Sequence, residues 1–242
     1  MKIVINNLKK RFGDNVAVDI PSLSIENGEM VGLVGNNGAG KTTLFRLIVD
    51  LLKADFGEIS LMPQCSDTEN LSINPAQSEM WKHMTGVYID SSFLIDFLTA
   101  EEYFEFVGKA SGTNKSEVEA RLEEFSDFMN GEILGQGKYI RDLSAGNKQK
   151  VGIIAAMLNN PELVILDEPF NFLDPSSQNK LKKMLINYNK THGATMLVSS
   201  HNLTHTVDIS SRVVLLEHGV VVKNLDNADG HAEKELEDYF NV

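Results

Sequence analysis

The sequence is poor in cysteine, in positive charge and in long apolar runs. Cys65 is the single cysteine among 242 residues, so an internal disulfide is excluded, and no nearby residues have metal-ligand spacing. The formal net charge of -12 argues against a nucleic-acid-binding surface, which needs a basic face, and disfavours adsorption to an anionic membrane. No apolar run approaches the ~18 residues of a membrane span, and the N-terminus lacks the apolar stretch of a signal peptide. We therefore expect a cytoplasmic protein with no nucleic-acid partner and no direct membrane insertion.

What the sequence does contain is the pattern of one α/β domain over residues 1–242. Residues 1–34 alternate in the manner of strands, separated by Gly13, Pro21 and Gly28, which predicts an N-terminal antiparallel β subdomain. Residues 62–79 are polar and without period, so we expect an irregular segment there. From residue 146 onward, helical and strand-like segments alternate, which is typical of a largely parallel sheet with helices on its faces.

An acidic helical block lies in the middle of the chain. Thr99 with Glu102, and Ser116 with Glu119, have the spacing of capping boxes and are predicted to open two helices. We predict an inserted helical subdomain over residues 92–150, between two parts of a sheet core at residues 1–91 and 151–242.

The segment GNNGAGKT, Gly35 to Thr42, has the spacing of a phosphate-binding loop between a strand and a helix. Its glycines let backbone N–H groups close around phosphates, Lys41 supplies charge to the β and γ oxygens, and the Thr42 hydroxyl can bind Mg²⁺. The core is therefore predicted to be that of a P-loop NTPase. The predicted nucleotide-binding residues are Gly35, Asn36, Asn37, Gly38, Ala39, Gly40, Lys41, Thr42 and Thr43.

Two further strands end in residues that suit phosphate chemistry. The apolar run LVIL ends in Asp167 and Glu168, at the sheet edge where ligands bind in open α/β folds. Asp167 would hold Mg²⁺ directly or indirectly, and Glu168 would orient and deprotonate the attacking water. His201 follows the strand-like run LVSS and can hydrogen-bond a γ-phosphate. The predicted catalytic residues are thus Lys41, Glu168 and His201.

With LSAGN before LDEP, NFLDP after it and SSH at 199–201, the motif order resembles the ATP-binding cassette family of transport ATPases. The resemblance covers essentially the whole chain. It implies that LSAGN, Leu143 to Asn147, is the signature loop of the family. In a head-to-tail dimer this loop would contact the ATP held by the partner's P-loop, through Ser144, Gly146 and Asn147. Ala145 and Asn147 depart from the usual Gly and Gln. Alanine is tolerable there if its φ is negative.

The resemblance assigns roles to three more residues. Asp174 in NFLD matches the loop that links the two sites across the dimer. Phe12 matches the aromatic that lies under adenine, with a core position in a β layer as the alternative. Asp90 in GVYID stands where the family usually has a glutamine that contacts Mg²⁺ and moves with the membrane partner. An aspartate can still reach the metal through water, so Asp90 is a candidate metal ligand, but it has no hydrogen bond to donate and adds negative charge near the γ-phosphate.

The resemblance implies an ATP-hydrolysing transporter subunit that uses Mg²⁺ and works with a transmembrane permease subunit on a separate chain. It would pair with itself or with a second such ATPase subunit, at the inner face of the cell membrane. The segment KQKVGIIAAML and the short C-terminus look most like bacterial exporter-type subunits. Two alternatives are a non-transport cassette of an assembly complex and a degenerate, nucleotide-binding regulatory module. The second is motivated by Asp90 and the altered signature.

Overall fold

The computed structural model describes residues 1–64, 71–227, 230 and 232–240, without the side chains of Glu237 and Phe240. Cys65 lies outside the described residues. The strands, in chain order, are β1 Lys2–Phe12, β2 Asn15–Ile25, β3 Met30–Val34, β4 Phe56–Met62, β5 Thr85–Tyr88, β6 Leu163–Leu166, β7 Thr195–Ser200, β8 Arg212–Glu217 and β9 Val220–Asp226. The α-helices are α1 Lys41–Ile48, α2 Ala100–Ala110, α3 Lys115–Glu124, α4 Ser126–Met129, α5 Ala145–Met157, α6 Pro175–His192, α7 Leu203–Val207 and α8 Ala232–Phe240.

The strands form two sheets. A three-stranded antiparallel sheet has the order β2-β1-β4, and a six-stranded sheet has the order β5-β6-β7-β3-β8-β9. The second sheet is parallel except for β9, which pairs antiparallel with β8. An N-terminal antiparallel layer and a parallel sheet with helices on its faces confirm the predicted α/β fold.

Strand β2 runs through Pro21, so the predicted break there is wrong. β2 lies at the edge of its sheet, and an edge strand tolerates a residue without an N–H. The outer side of β2 is met by the β8–β9 turn, where the N–H of Asp19 donates to the carbonyl of Gly219 at 2.8 Å.

The predicted irregular segment at 62–79 needs correction at Met62 and Ile73, and its residues 65–70 lie outside the described residues. Met62 still belongs to β4. Ile73 pairs with Leu61 in both directions, with N–O distances of 2.8 Å, because backbone groups beside a strand find partners there.

Helices α2 to α4 and the start of α5 lie within residues 92–150, where the helical block is predicted, and α5 continues to Met157. Thr99 and Glu102 form the predicted capping box of α2. Helix α3 begins earlier than predicted, since Asn114 with Glu117 forms its capping box, and asparagine is as good an N-cap as serine. Ser116 lies inside the first turn and donates to Asn114 Oδ1 at 2.7 Å.

Helix α5 connects the helical block to the parallel sheet. Every residue of α5 from Gln149 to Met157 is buried, which is the pattern of a helix enclosed on all sides. It shares one apolar core with the block, through Phe104 and Phe128, and with β6, through Leu166. The start of α5 and the end of β6 are therefore held in a fixed relation. Among the described residues, no helix is both long and apolar enough to span a membrane.

Candidate functional site

The loop between β3 and α1 has the backbone of a phosphate cradle. Gly35 and Gly40 have φ values of 154° and 106°. A Cβ on Gly35 would lie 2.2 Å from the Leu216 carbonyl oxygen, and one on Gly40 would lie 2.4 Å from that of Ala17, so neither position accepts a side chain. A Cβ on Gly38 would meet nothing within 4 Å. The loop is therefore packed at its ends and open at its middle, as an anion requires.

Lys41 lies across this loop with its ammonium group held in place. Its Nζ donates to the carbonyl oxygens of Gly35 at 2.5 Å and Asn36 at 3.4 Å, and lies 3.4 Å from Glu168 Oε1. The side chain is only 7% exposed. A cation so enclosed is attracted to a phosphate more strongly than one in water.

Asp167 lies at the carboxyl end of β6, next to the start of α1. Its Oδ2 accepts a hydrogen bond from Thr42 Oγ1 at 2.5 Å, and its Oδ1 accepts one from Ser199 Oγ. Burial raises the pKa of Asp167, although the hydrogen bonds from Ser199 and Thr42 act in the opposite direction. A cation beside the carboxylate would favour its charged form.

The Thr42 hydroxyl and the Asp167 carboxylate fit Mg²⁺ as the protein's share of its oxygen ligands. In the described part of the chain, no group of three or more His, Cys, Asp or Glu residues could hold a metal by itself. Mg²⁺ is commonly bound by one or two carboxylates together with substrate phosphates and waters. A hydroxyl and a carboxylate beside a phosphate loop match that donor set.

Glu168 and His201 are brought together from β6 and β7. His201 Nδ1 lies 2.7 Å from Glu168 Oε2, and the His201 backbone N–H donates to the same oxygen at 3.2 Å. Glu168 has a φ of 48°, a left-handed conformation that is strained for a residue with a side chain. The carboxylate thus lies between Lys41 and His201, at the mouth of the phosphate loop.

Ser199 contributes to this cluster, although the sequence analysis did not identify it. Besides binding Asp167, its Oγ accepts a hydrogen bond from the Glu168 N–H at 2.8 Å. The signal was a fully buried serine in an apolar strand, two residues before His201.

Phe12 lies beside the phosphate loop and outside the apolar core. Its ring is 53% exposed and carries the Lys10 ammonium 5.6 Å from its centroid. Phe12 lines a cleft of ≈ 330 Å³ together with the loop residues 36–43 and Glu168. An exposed ring at such a cleft can stack on a nucleotide base, and the alternative of a core phenylalanine does not hold.

The signature residues lie elsewhere, at the start of α5. Ser144 is the N-cap, and its Oγ accepts from the Asn147 N–H at 3.2 Å. Ala145 is helical, so the condition for tolerating alanine is met. A Cβ on Gly146 would lie 2.7 Å from the Phe172 carbonyl oxygen. Within the described residues, no hydrogen bond or salt bridge joins Ser144, Gly146 or Asn147 to the phosphate loop.

Asp174 is the N-cap of α6. It accepts hydrogen bonds from the N–H groups of Ser176 and Ser177 at 2.9 and 3.1 Å, and the hydrogen bonds from Ser177 lower its pKa. Two residues earlier, Phe172 has a φ of 64° and is 74% exposed. The segment therefore presents a fixed, strained loop to solvent.

Asp90 contacts Arg46 of α1, and within the described residues it has no bond to Thr42 or Asp167. Its carboxylate accepts from the Ser92 N–H at 2.8 Å and lies 3.7 Å from the guanidinium of Arg46. Thr42 and Asp167 bond to each other without it. A contact between Asp90 and Mg²⁺ stays a prediction.

The fold and the cluster around Lys41 define a P-loop nucleotide-binding protein. Known proteins narrow this class further. A family model described as ABC transporter matches residues 18–171. A solved structure described as the ATP-binding subunit of an ABC transporter superposes with a TM-score of 0.81 at 25% identity, over 99% of this chain and 98% of that one.

Curated relatives agree with that family. The methionine import ATP-binding protein MetN 3 of Bacillus cereus is 32% identical over 91% of this chain, which spans 64% of that relative's length. The ABC transporter ATP-binding protein NatA of Bacillus subtilis is 31% identical over 91% of this chain and 87% of its own. The chain therefore belongs to the ABC transporter family and is an ATP-binding cassette, a class of ATPase, as the motif order implied. The name of the MetN relative specifies import, so it does not support the expectation of export.

Proposed function

We propose that this chain is the ATP-hydrolysing subunit of an ABC transporter and powers transport through transmembrane permease subunits on separate chains. The observation that carries the proposal is the convergence of Lys41, Thr42, Asp167, Glu168 and His201 at one edge of the parallel sheet, beside a phosphate cradle. Lys41 and Thr42 begin α1, whereas Asp167 and Glu168 directly follow β6 and His201 directly follows β7. Together they supply a cation for the phosphates, two oxygen ligands for Mg²⁺ and a base for the attacking water, which are the groups that phosphoryl transfer to water requires.

The division of labour follows from the contacts. The loop 35–40 and Lys41 would bind the phosphates. Thr42 and Asp167 would hold Mg²⁺, which would supply positive charge to the phosphate oxygens. Glu168 takes the proton of the attacking water. His201, held 2.7 Å from Glu168, orients that carboxylate and offers its remaining ring nitrogen to the γ-phosphate. Phe12 stacks on the adenine.

The second half of each site comes from another cassette. Ser144 and the free N–H groups at the start of α5 form an anion-binding end, yet no phosphate loop of the same chain contacts them among the described residues. A second copy of this chain or a related ATPase subunit would present its ATP there, with Asp174 at the junction. Gly146, Asn147 and Ser144 would then serve the partner's nucleotide.

An apolar groove supports a membrane partner. It has a volume of ≈ 280 Å³ and lies between the helical block and the sheet, lined by Leu51, Phe93 and Leu94 among others. Leu51 and Phe93 are 53% and 52% exposed. Grouped exposed apolar side chains mark binding surfaces, and a segment of the permease would cover them. The subunit would then sit at the cytoplasmic face of the membrane without inserting in it.

The test is the Mg²⁺-dependent hydrolysis of ATP by the purified chain, with Lys41→Ala as the inactive variant. We expect Lys41→Ala to abolish turnover, because the mutation removes the charge that positions the phosphates, while the variant still unfolds in one cooperative thermal transition. Equal turnover in the mutant and the wild type would refute the assignment of this loop. Co-purification with a multi-span membrane protein then distinguishes a transporter subunit from a soluble assembly cassette.

A further inference from the structure

A buried chain of hydrogen bonds runs from β5 through α5 to the backbone of Glu168. The Tyr88 hydroxyl donates to Gln149 Oε1 at 2.8 Å, and Gln149 Nε2 donates to the carbonyl oxygen of Glu168 at 3.1 Å. Tyr88 and Gln149 are 3% and 5% exposed. Water therefore offers these groups little competition, and each depends on the others for its hydrogen bond.

Tyr88 also fixes the residue before Glu168. Its carbonyl oxygen accepts from the Asp167 N–H at 2.8 Å, because β5 and β6 are parallel neighbours in which Tyr88 is opposite Leu166. Burial raises the pKa of the Tyr88 phenol, so the hydroxyl keeps its proton and acts as a donor. One residue of β5 thus anchors the backbone on both sides of the Asp167–Glu168 peptide.

Glu168 needs such anchoring because its backbone is strained. Its φ of 48° is a conformation that a residue with a side chain leaves unless its surroundings hold it. Gln149 holds its carbonyl, and Ser199 holds its N–H at 2.8 Å. The direction of the carboxylate follows from that backbone.

Gly152 of α5 makes room for the ring of Tyr88. A Cβ on Gly152 would lie 2.0 Å from a ring carbon of Tyr88, so even an alanine would push the ring aside. Gly152 is one helical turn from Gln149, on the same face of α5. The two positions together accept the ring and its hydroxyl.

We propose that Gln149 is a positioning residue for Glu168. Its side chain holds the backbone carbonyl of Glu168, and the Tyr88 hydroxyl fixes the side-chain amide of Gln149. The inference rests on the proposed ATPase function. Without the Gln149 bond, the Glu168 backbone has other orientations available, and fewer molecules present the carboxylate to the attacking water. ATP binding, which depends on Lys41 and the phosphate loop, is unaffected.

The experiment compares Gln149→Leu and Tyr88→Phe with Tyr188→Phe in steady-state ATP hydrolysis. Tyr188 is a matched control, since it is 4% exposed and its hydroxyl is buried with no hydrogen-bond partner in the described part of the chain. We expect kcat to fall about tenfold in Gln149→Leu and about threefold in Tyr88→Phe, with KM for ATP within about twofold. Tyr188→Phe keeps the wild-type kcat.

The pH dependence of kcat in Gln149→Glu distinguishes a positioning role from a merely structural one. A protonated carboxyl reproduces the amide, since its O–H donates to the Glu168 carbonyl and its other oxygen accepts from Tyr88. An ionised carboxylate has nothing to donate, and burial favours the protonated form. We expect the deficit of Gln149→Glu, relative to wild type at each pH, to shrink as the pH falls, whereas that of Gln149→Leu stays constant.

Two results would overturn the proposal. The first is a wild-type kcat in a folded Gln149→Leu, and the second is a Gln149→Glu deficit that does not change with pH. If Gln149→Leu fails to fold in thermal denaturation, Gln149→Glu and Tyr88→Phe carry the same test. An inactive wild-type protein would count against the proposed function instead, so the two failures are distinguishable.

Discussion

Two loops that begin helices, at α1 and α5, are proposed to bind phosphate, and they differ in how their polar groups are bonded. At the start of α1, Lys41 and Thr42 are already bonded to Glu168 and Asp167. At the start of α5, the Ser144 hydroxyl is bonded within its own turn, and no other bond of this side chain is found in the described part of the chain. The first loop is preorganised by carboxylates that arrive from β6, whereas the second meets no such partner among the described residues.

Under the proposed function, this difference separates the loop that takes part in hydrolysis from the loop that completes the partner's ATP site. Groups that must act on water are held before the substrate arrives, because reorganisation during the reaction would slow it. Groups that recognise a partner's ligand stay open until the partner binds. The contrast therefore predicts that damage to the first loop acts within one chain, and damage to the second acts across a dimer.

The largest expected effect is in the preorganised cluster. Glu168→Gln should lower kcat by ~10²–10⁴-fold, because the amide keeps the shape of the side chain but cannot take a proton. ATP binding should persist, and an ATP-bound dimer should accumulate in size-exclusion chromatography. Hydrolysis at the wild-type rate would mean that another group is the base, with His201 as the next candidate.

The second prediction sharpens the contrast between the loops by mixing two inactive variants. Lys41→Ala spoils the phosphate loop and Ser144→Arg spoils the signature, so each homodimer has two defective sites. In a mixed dimer one site collects both defects and the other is intact. With random exchange between two-fold dimers, about half the dimers are mixed, and turnover should recover to roughly a quarter of the wild-type value.

If Ser144 instead served its own chain's ATP, mixing would restore nothing at any ratio. The control is a measurement that mixed dimers form and still bind ATP. Obligate coupling between the two sites would lower the recovery, so a wild-type subunit mixed with Ser144→Arg provides the reference.

The smallest effect is expected at Asp90, which contacts Ser92 and Arg46. Asp90→Gln should keep or raise basal ATPase activity by up to about twofold, because it replaces a carboxylate that is not bonded to Thr42 or Asp167 in the described part of the chain with the neutral side chain that the family usually has there. It also removes the Arg46 pair, whose members are 43% and 45% exposed, and pairs so exposed contribute little stability. Complete loss of Mg²⁺-dependent activity would make Asp90 an essential metal ligand.

The sequence predicts best what is determined locally. The phosphate loop and the strand ending in Asp167 and Glu168 are readable because spacing and apolar runs encode them. Asp174 before Pro175 is likewise readable as a helix start. The start of α3 was missed because Asn114 and Ser116 head two overlapping capping boxes, and the sequence does not say which one forms.

What the sequence does not predict depends on contacts between distant segments. The pairing of Asp90 with Arg46 requires β5 to end beside α1. The bond from Gln149 to Glu168 requires α5 to pack under β6, and the left-handed backbone of Glu168 is visible only once those partners are placed. Tertiary contacts therefore decide how the candidate site is tuned, and local sequence decides that it exists.

The proline in β2 has a consequence for the behaviour of the protein in concentrated solution. An open strand edge is a template on which another chain adds a strand, and this is a common route to aggregation. Here the N–H of Asp19 is occupied by Gly219, and two residues further along the same side Pro21 has none to offer. With a net charge of -12 adding repulsion between copies, we expect this edge to resist strand addition. Pro21→Val should promote fibrillar or sheet-rich aggregates.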